Sequence, residues 1–260
     1  MKTAHIRGFS LLELMVAMAL GTLVIAAAIQ LLTINQRTFS LQQTMMEVQE
    51  QGRFTLDYIV RDIYKMGFVL VDSSGNPVET PGAVAGVMQV DATVGGVTYA
   101  ASVDGGAGND RLTFSYYSGL YGNVDCEGDI AAPDVFIVNT YWVNNGDLFC
   151  MGSVNAGTTG LEILSGVDSF QVLYGIDTSE DQSAFATRYV KASSIGTSVV
   201  VAMKVGLLIR SDEPMPELGD PETYVVLDQT LTGGTELTES KLRRLFTTTV
   251  KARNFDWRKI

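Results

Sequence analysis

The stretch GFSLLELMVAMALGTLVIAAAIQLL, residues 8–32, decides how this chain begins. Between residues 9 and 32 it holds a single ionisable side chain, that of Glu13. A helix that crosses the hydrocarbon core of a bilayer needs about 20 predominantly apolar residues. The stretch therefore predicts a transmembrane helix that carries one carboxylate near its start.

The carboxylate of Glu13 is costly in such a helix. A charged side chain at the bilayer centre costs about 2.5–3.5 kcal/mol on insertion scales, and it is usually paired. The apolar segment offers no basic partner. A partner has to come from the chain terminus, from another subunit, from water or from a lipid headgroup.

Three interpretations of this N-terminus compete. The first is a signal anchor with Glu13 near the membrane interface. The second is a secretory signal cleaved at the alanines of residues 26–28, but a glutamate inside the required apolar region counts against it. The third is a short basic leader cut after Gly8, which would create a new amine on Phe9, four residues before Glu13.

Residues 8–14, GFSLLEL, resemble the processing site of type IV prepilins and of type II secretion pseudopilins. The resemblance implies that a prepilin peptidase cleaves after Gly8, that Phe9 becomes N-methylated, and that Glu13 assists assembly through the N-terminus of a neighbouring subunit. It also implies partners among the major and minor pilins and the inner-membrane assembly machinery. Many major pilins have a proline well along this helix, whereas residues 21–36 contain none here.

The helix is predicted to continue beyond the apolar stretch, since residues 33–65 contain no proline and one glycine, Gly52. Apolar side chains recur there at spacings of three and four, which mark one helical face. These positions are Met45, Val48, Leu56, Ile59, Ile63 and Met66, with Gly52 completing the stripe. We predict one helix over residues 9–65, ended by Gly67, whose second half docks one face on a globular domain.

Short β-type runs separated by turn residues follow from residue 68 onward. The predicted strands are residues 68–71, 86–90, 97–103, 111–117, 135–143, 148–151, 161–164, 169–175, 187–190, 198–210, 224–227 and 245–253. Asn145-Gly146 predicts a hairpin turn, and the aromatic side chains beside it, including Trp142 and Phe149, are expected to pack across the strands.

The expected fold class is α+β: a long N-terminal helix with a membrane-spanning first half, packed on a mainly antiparallel β-sheet domain. We divide the chain into a prepilin leader (residues 1–8), a transmembrane and assembly half of the helix (9–32), an amphipathic half (33–66) and a periplasmic β-rich domain (67–260).

Composition excludes several function classes. The net charge of −11 argues against general nucleic-acid binding, which requires neutralisation of phosphates. His5 is the only histidine and lies in the expected leader, which removes histidine-based catalysis and histidine metal sites from the mature chain. We therefore predict no catalytic residue, no metal and no cofactor. The acidic loop of residues 177–181 has oxygen ligands that suit calcium, but a solvated loop is the favoured interpretation.

The two cysteines, Cys126 and Cys150, are predicted to form a disulfide, because an exported domain meets an oxidising compartment. The alternative is two separate thiols. The chain-entropy model assigns a bridge of this loop length about 3 kcal/mol of stabilisation.

Three further stretches, residues 54–68, 167–177 and 242–254, resemble PilW-like minor pilins. That resemblance implies a non-catalytic subunit that joins other minor pilins, helps to start type IV pilus assembly and sits in the pilus or its tip complex. It implies a single-pass precursor in the inner membrane and a final location in the pilus at the cell surface. The alternatives are a J-type pseudopilin of type II secretion and a membrane-anchored periplasmic enzyme or adhesin.

Overall fold

A computed structural model describes residues 10–69, 83–84, 86–106, 108–119, 122–155, 157, 159–179, 185–215, 222–235 and 237–254. The predicted leader, with Gly8 and the new terminus Phe9, lies outside the described residues. The chain divides into two compact units, Met1–Glu47 and Val48–Ile260.

One helix, α1, spans Leu11–Ile63 and is 53 residues long. Its first turn is capped by Ser10, whose hydroxyl oxygen accepts the N–H of Leu12 at 3.3 Å. The helix ends two residues earlier than predicted, and a turn leads to Gly67, which has a φ of 73°. A left-handed residue after the last helical turn is tolerated best by glycine, so Gly67 ends the helical region as expected.

The part of α1 in the first unit is exposed along most of its length, and its residues 11–32 are exposed around the whole circumference and carry no charge besides Glu13. Its threonines are satisfied locally: the hydroxyls of Thr22, Thr33 and Thr38 donate to the carbonyls of preceding residues at 2.9–3.0 Å. Among the described residues, α1 is the one helix that is long and apolar enough to cross a membrane, by length and composition.

The part of α1 in the second unit is amphipathic. Its buried positions are Val48, Gly52, Thr55, Ile59, Asp62 and Ile63, which repeat at the spacing of one helical face. The predicted stripe is confirmed at Val48, Gly52, Ile59 and Ile63, while Leu56 is only partly buried. This face joins the main hydrophobic core of the β-rich unit.

Strands β1–β16 follow the helix, together with one 3₁₀ turn, Ala192–Ser194. Their bounds are Ala83–Val84, Val87–Met88, Ala92–Val94, Val97–Tyr99, Leu112–Tyr117, Asn123–Val124, Ile130–Ala131, Phe136–Asn144, Asp147–Gly152, Leu161–Leu164, Val167–Asp177, Arg188–Val190, Val199–Arg210, Tyr224–Val226, Gln229–Leu231 and Arg243–Lys251.

The described strands form two larger sheets and three two-stranded ones. The six-stranded sheet has the order β1-β2-β5-β8-β9-β10, and the four-stranded sheet has the order β12-β11-β13-β16. All pairings between these named strands are antiparallel. The predicted α+β class, with a long helix packed on antiparallel sheets, is confirmed.

The long central strand and the tight hairpin were both predicted correctly. Strand β13 lies between β11 and β16, buried along most of its length. The β8–β9 hairpin turns at Asn145 and Gly146, with φ of 53° and 85°, the two positive angles of a type I′ turn. Trp142 pairs with Phe149 across this hairpin, and their ring centroids are 5.7 Å apart.

The strand prediction for residues 68–71 was wrong where it is described: Phe68 and Val69 are not in a strand. Phe68 instead donates its N–H to Lys65 and accepts one hydrogen bond from Tyr117, so the chain is still leaving the turn at Gly67. Residues 70 and 71 lie outside the described part. The short strands β1, β3, β6, β7 and β15 were not predicted, because two or three residues carry too little periodicity.

Candidate functional site

Glu13 lies in the first turn of α1 and is exposed. The ion pairs formed within residues 10–69 join Arg53 to Glu50, Arg61 to Asp57 and Lys65 to Asp62, all in the second unit. The carboxylate of Glu13 therefore has no cationic partner among the described residues of its own chain. Around it the exposed side chains are apolar, as those of Leu12 and Leu14 show, at 71% and 59% exposure.

The second half of the candidate site is the region that anchors α1 to the sheets. Asp62 is buried, and its Oδ2 accepts hydrogen bonds from Asn139 Nδ2 at 2.8 Å and from the Tyr141 hydroxyl at 2.7 Å. Its Oδ1 accepts from Lys65 Nζ at 2.6 Å. All three partners donate to this carboxylate, and two of them come from strand β8, so Asp62 holds the end of the helix against the six-stranded sheet.

The role of Asp62 as an anchor of the helix was not predicted from the sequence. A signal was present, because Asp62 lies beside Ile63 and three residues after Ile59 on the apolar stripe. An ionisable group on the buried face of a helix requires a specific partner. What the sequence does not reveal is that the partners lie on β8, far along the chain.

The segment around β6 and β7 is tied to the same end of the helix. The hydroxyl of Tyr58 donates to the carbonyl of Cys126, and Lys65 Nζ and the Tyr116 hydroxyl donate to the carbonyl of Val124 at 3.0 Å and 2.8 Å. Burial, followed by the nearby charge of Asp62, raises the pKa of Tyr58, which keeps this donor protonated.

The structure joins Cys126 and Cys150 in a disulfide, with 6.2 Å between their Cα atoms, which confirms the predicted pairing. Both residues are fully buried. Because Cys150 lies in β9 and Cys126 accepts the Tyr58 hydrogen bond, the disulfide links the helix-contacting segment covalently to the six-stranded sheet.

The C-terminal segment also closes on the helix end. The side-chain amide of Asn254 donates to the carbonyls of Tyr64 at 2.9 Å and Met66 at 3.3 Å. The guanidinium carbon of Arg253 lies 3.8 Å from the centroid of the Tyr64 ring, a cation–π arrangement. Carbonyls left free at the helix end are thereby satisfied by residues that are distant in sequence.

Among the residues that the structure describes, one group of acidic side chains has ligand atoms close enough together to hold a metal ion. Asp125, Glu127 and Asp129 each bring a carboxylate oxygen within 4.8 Å of the others. However, Asp125 Oδ1 already accepts the N–H groups of Glu127 and Asp129, and its Oδ2 accepts that of Val154. Burial raises the pKa of Asp125, partly offset by these hydrogen bonds. The carboxylate of Asp125 thus stabilises its own turn.

The acidic loop weighed as a calcium site is described only in part. Asp177 ends β11 and is buried, and its Oδ1 accepts the N–H of Ser179 at 2.9 Å. Glu180 and Asp181 lie outside the described residues. The partners of Asp177 that the structure describes are those of a local turn.

The β-rich unit has a cavity of about 400 Å³, lined in part by Asp110, Arg111, Trp142 and Met151. Asp110 is its buried carboxylate, and both oxygens accept backbone N–H groups, from Gly105 and Val172 at 2.8 Å each. A carboxylate held in this way supports the loop and strand around it rather than acting as a general base.

Two family models match this chain, one near its N-terminus and one in its C-terminal part. Residues 135–254 match the family model of the Type IV Pilus-assembly protein W, and residues 4–29 match that of the prokaryotic N-terminal methylation motif. A solved type IV-like pilin from Thermus thermophilus is similar over 80% of this chain and 98% of its own, at 18% identity and a TM-score of 0.47. The comparison with curated protein sequences returns no match.

The two family matches confirm the resemblance to PilW-like minor pilins. Residues 135–254 are similar to the PilW family, and residues 4–29 carry the N-terminal methylation motif. The methylation motif and the apolar helix together indicate a membrane-anchored pilin precursor.

Proposed function

We propose that this PilW-like chain is a non-catalytic minor pilin that helps to initiate type IV pilus assembly and stays in the pilus or its tip complex. The observation that carries the proposal is the surface of residues 11–32 of α1. These residues are exposed on all sides of the helix, and Glu13 is their one charged side chain. Such a surface is complementary to lipid or to a bundle of helices of the same kind.

The proposed role of Glu13 rests on the absence of a cationic partner for it among the described residues. Cleavage after Gly8 would leave a cationic amine on Phe9, and in a bundle that amine on one subunit can meet Glu13 on the next. An unpaired carboxylate in an apolar environment is unfavourable, and pairing removes the penalty. The difference between the two states is roughly a few kcal/mol per contact, the scale of leaving one buried partner unpaired.

The β-rich unit supports a structural role in this proposal. Three of its buried carboxylates, those of Asp62, Asp110 and Asp125, accept hydrogen bonds from the chain itself. Their arrangement anchors the helix and shapes the loops, and the disulfide adds a covalent link. These contacts hold the end of the helix against the sheet, which suits a subunit that docks on neighbouring subunits through its helix.

The proposed cellular location rests on the apolar helix and on the disulfide. The precursor is a single-pass protein of the inner membrane with its β-rich domain in the periplasm, and the processed subunit then enters the pilus. The disulfide supports an oxidising compartment for the β-rich unit. Partners are the prepilin peptidase, the assembly machinery and other pilins.

The test is deletion of the chain, followed by complementation with the full-length protein. We expect loss of most surface pili, recovery on complementation, and co-purification of other pilins with the tagged chain from membranes. N-terminal mass analysis should find the mature chain beginning at an N-methylated Phe9. Intact pili with a defect in type II secretion would instead indicate a J-type pseudopilin, and a mature start after residues 26–28 would contradict the processing step.

A further inference from the structure

Strand β16, Arg243–Lys251, is the edge of the four-stranded sheet. It pairs with β13 along nine consecutive residues, from Arg243 opposite Arg210 to Lys251 opposite Ala202, with no shift of register. No other strand in the described part of the chain pairs with it. Its outer edge is thus a long, regular row of backbone groups.

The hydrogen-bonding pattern between β13 and β16 identifies the backbone groups of β16 that face outward. The N–H of Ala252 donates to Val201, and the N–H of Ser211 donates to Leu242, so even-numbered residues of β16 bond to β13. Antiparallel pairing alternates strictly, which leaves the N–H and C=O groups of the odd-numbered residues on the free edge. These residues are Arg243, whose side chain is buried, and Leu245, Thr247, Thr249 and Lys251, whose side chains are all exposed.

Apart from the buried Arg243 at its first residue, the edge lacks the features that usually protect a free strand from pairing. Natural edge strands are blunted by a bulge, a proline, an inward charge or short length. Residues 243–251 contain no proline and no bulge, whereas β11 shifts register twice against β13. Three successive β-branched threonines, 247–249, favour extended backbone. The opposite edge of the same sheet, β12, is only three residues long.

The ionisable side chains of β16 itself are all positive. Arg244 and Lys251 are exposed near its two ends, and residues 241–254 contain no acidic side chain. Arg243, in contrast, is buried and neutralised by Asp168 at 2.7 Å. An incoming strand with acidic residues would meet both exposed cations, while a second copy of β16 would bring the same cations together.

We propose that β16 receives an extended acidic segment of another protein as an added strand. Backbone hydrogen bonds to the odd-numbered residues from Leu245 to Lys251 would supply affinity, and Arg244 and Lys251 would select acidic side chains. The inference rests on the proposed function, which provides the partner subunit. It adds to that function the surface of this chain that the partner occupies.

The first test is photo-crosslinking of the full-length chain in piliated cells. A benzophenone amino acid is placed at Thr247 or Thr249, and at Arg188 on β12 as the matched control on the opposite edge. We expect a crosslink from β16 to a peptide of a different protein with net negative charge, and none from Arg188. A crosslink to a second copy or to residues 255–260 of the same chain, a partner peptide without net negative charge, or no crosslink overturns the proposal.

The second test removes outward N–H groups. Thr247→Pro deletes one of them and leaves the bonds of Phe246 and Thr248 to β13, and proline is tolerated at edges where the N–H faces solvent. Thr247→Val keeps the N–H and is the control. We expect the proline variant to recover about tenfold less of the crosslinked partner through a Thr249 probe, and the valine variant to match the parent. Equal recovery in both variants overturns the proposal.

Folding and function are measured in the same strains. Oxidation of Cys126 and Cys150 and an unchanged unfolding midpoint show that a variant is folded. Arg244→Glu with Lys251→Glu should lower partner recovery, and Arg188→Glu should not. If deletion of the chain abolishes pili but folded edge variants retain both partner and pili, the edge inference fails while the proposed function stands.

Discussion

Gly52 of α1 lies directly against the ring of Phe246 in β16. A Cβ atom at Gly52 would come within 2.6 Å of Phe246 Cδ2, closer than carbon atoms approach without a shift of one of them. The glycine that completes the apolar stripe is therefore the position at which the helix and the edge strand make close contact.

This contact predicts the effect of filling the space. Gly52→Leu should lower the free energy of unfolding of the full chain by about 1–3 kcal/mol, because the leucine must displace the Phe246 ring. The control is Arg53→Leu, at an exposed position of the same turn, with an expected change within about 0.5 kcal/mol. Denaturant unfolding in detergent measures both, and equal midpoints would contradict the contact.

Replacement of Asp62 is predicted to cause a larger loss in the free energy of unfolding. Asp62→Ala leaves Asn139, Tyr141 and Lys65 without their shared acceptor, so we expect a loss of about 3 kcal/mol or more. Asp57→Ala removes the exposed pair with Arg61 one turn earlier, and should cost less than about 1 kcal/mol. The same unfolding experiment separates them, and a comparably small effect of both would mean that Asp62 is not the anchor.

Buried tyrosines predict loss of stability in alkali. Burial raises the pKa of Tyr116, Tyr141 and Tyr174, with the charge of Asp62 adding to the shift for the first two. Because these groups keep their protons in the folded state and release them when unfolded, their stabilisation is complete below about pH 10 and is lost above it.

Phenolate absorbance and near-ultraviolet circular dichroism should therefore change together in one cooperative step at alkaline pH. The urea-unfolded chain is the control, and its tyrosines should ionise at about pH 10. Gradual ionisation of all the phenols near that pH in a chain that stays folded would refute this prediction.

The disulfide predicts sensitivity to reductant. Reduction, or replacement of both Cys126 and Cys150 by serine, should lower the free energy of unfolding by about 3 kcal/mol. Reductant should shift the unfolding midpoint of the parent and leave that of the double variant unchanged. Alkylation before and after reduction tests the bond itself, and two freely alkylated thiols in folded, unreduced protein would disprove it.

Glu13 predicts an assembly defect without a folding defect. Glu13→Ala should reduce the recovery of partner pilins and the number of surface pili, since the carboxylate would no longer pair with a neighbouring amine. The unfolding midpoint of the β-rich unit should not change. Glu13→Gln is the matched control: loss in both variants indicates a need for charge, and retention in glutamine indicates hydrogen bonding. Normal piliation in both variants would reject the role of Glu13.

Local features were predictable from the sequence because their physical causes lie within a few residues. The stripe of Val48, Ile59 and Ile63 follows from helical periodicity alone. The turn at Asn145-Gly146 follows from the positive φ angles that these two residue types tolerate. The pairing of the two cysteines needed only their number and an exported context.

The tertiary structure alone decided which distant groups meet. The partners of Asp62 on β8 are 77 and 79 positions away, and the aromatic partner of Gly52 belongs to the C-terminal strand. The position of β16 at the edge of its sheet depends on strand order, which the alternation within a strand does not encode. Periodicity reports which face of an element is buried, whereas contacts between elements depend on how the whole core packs.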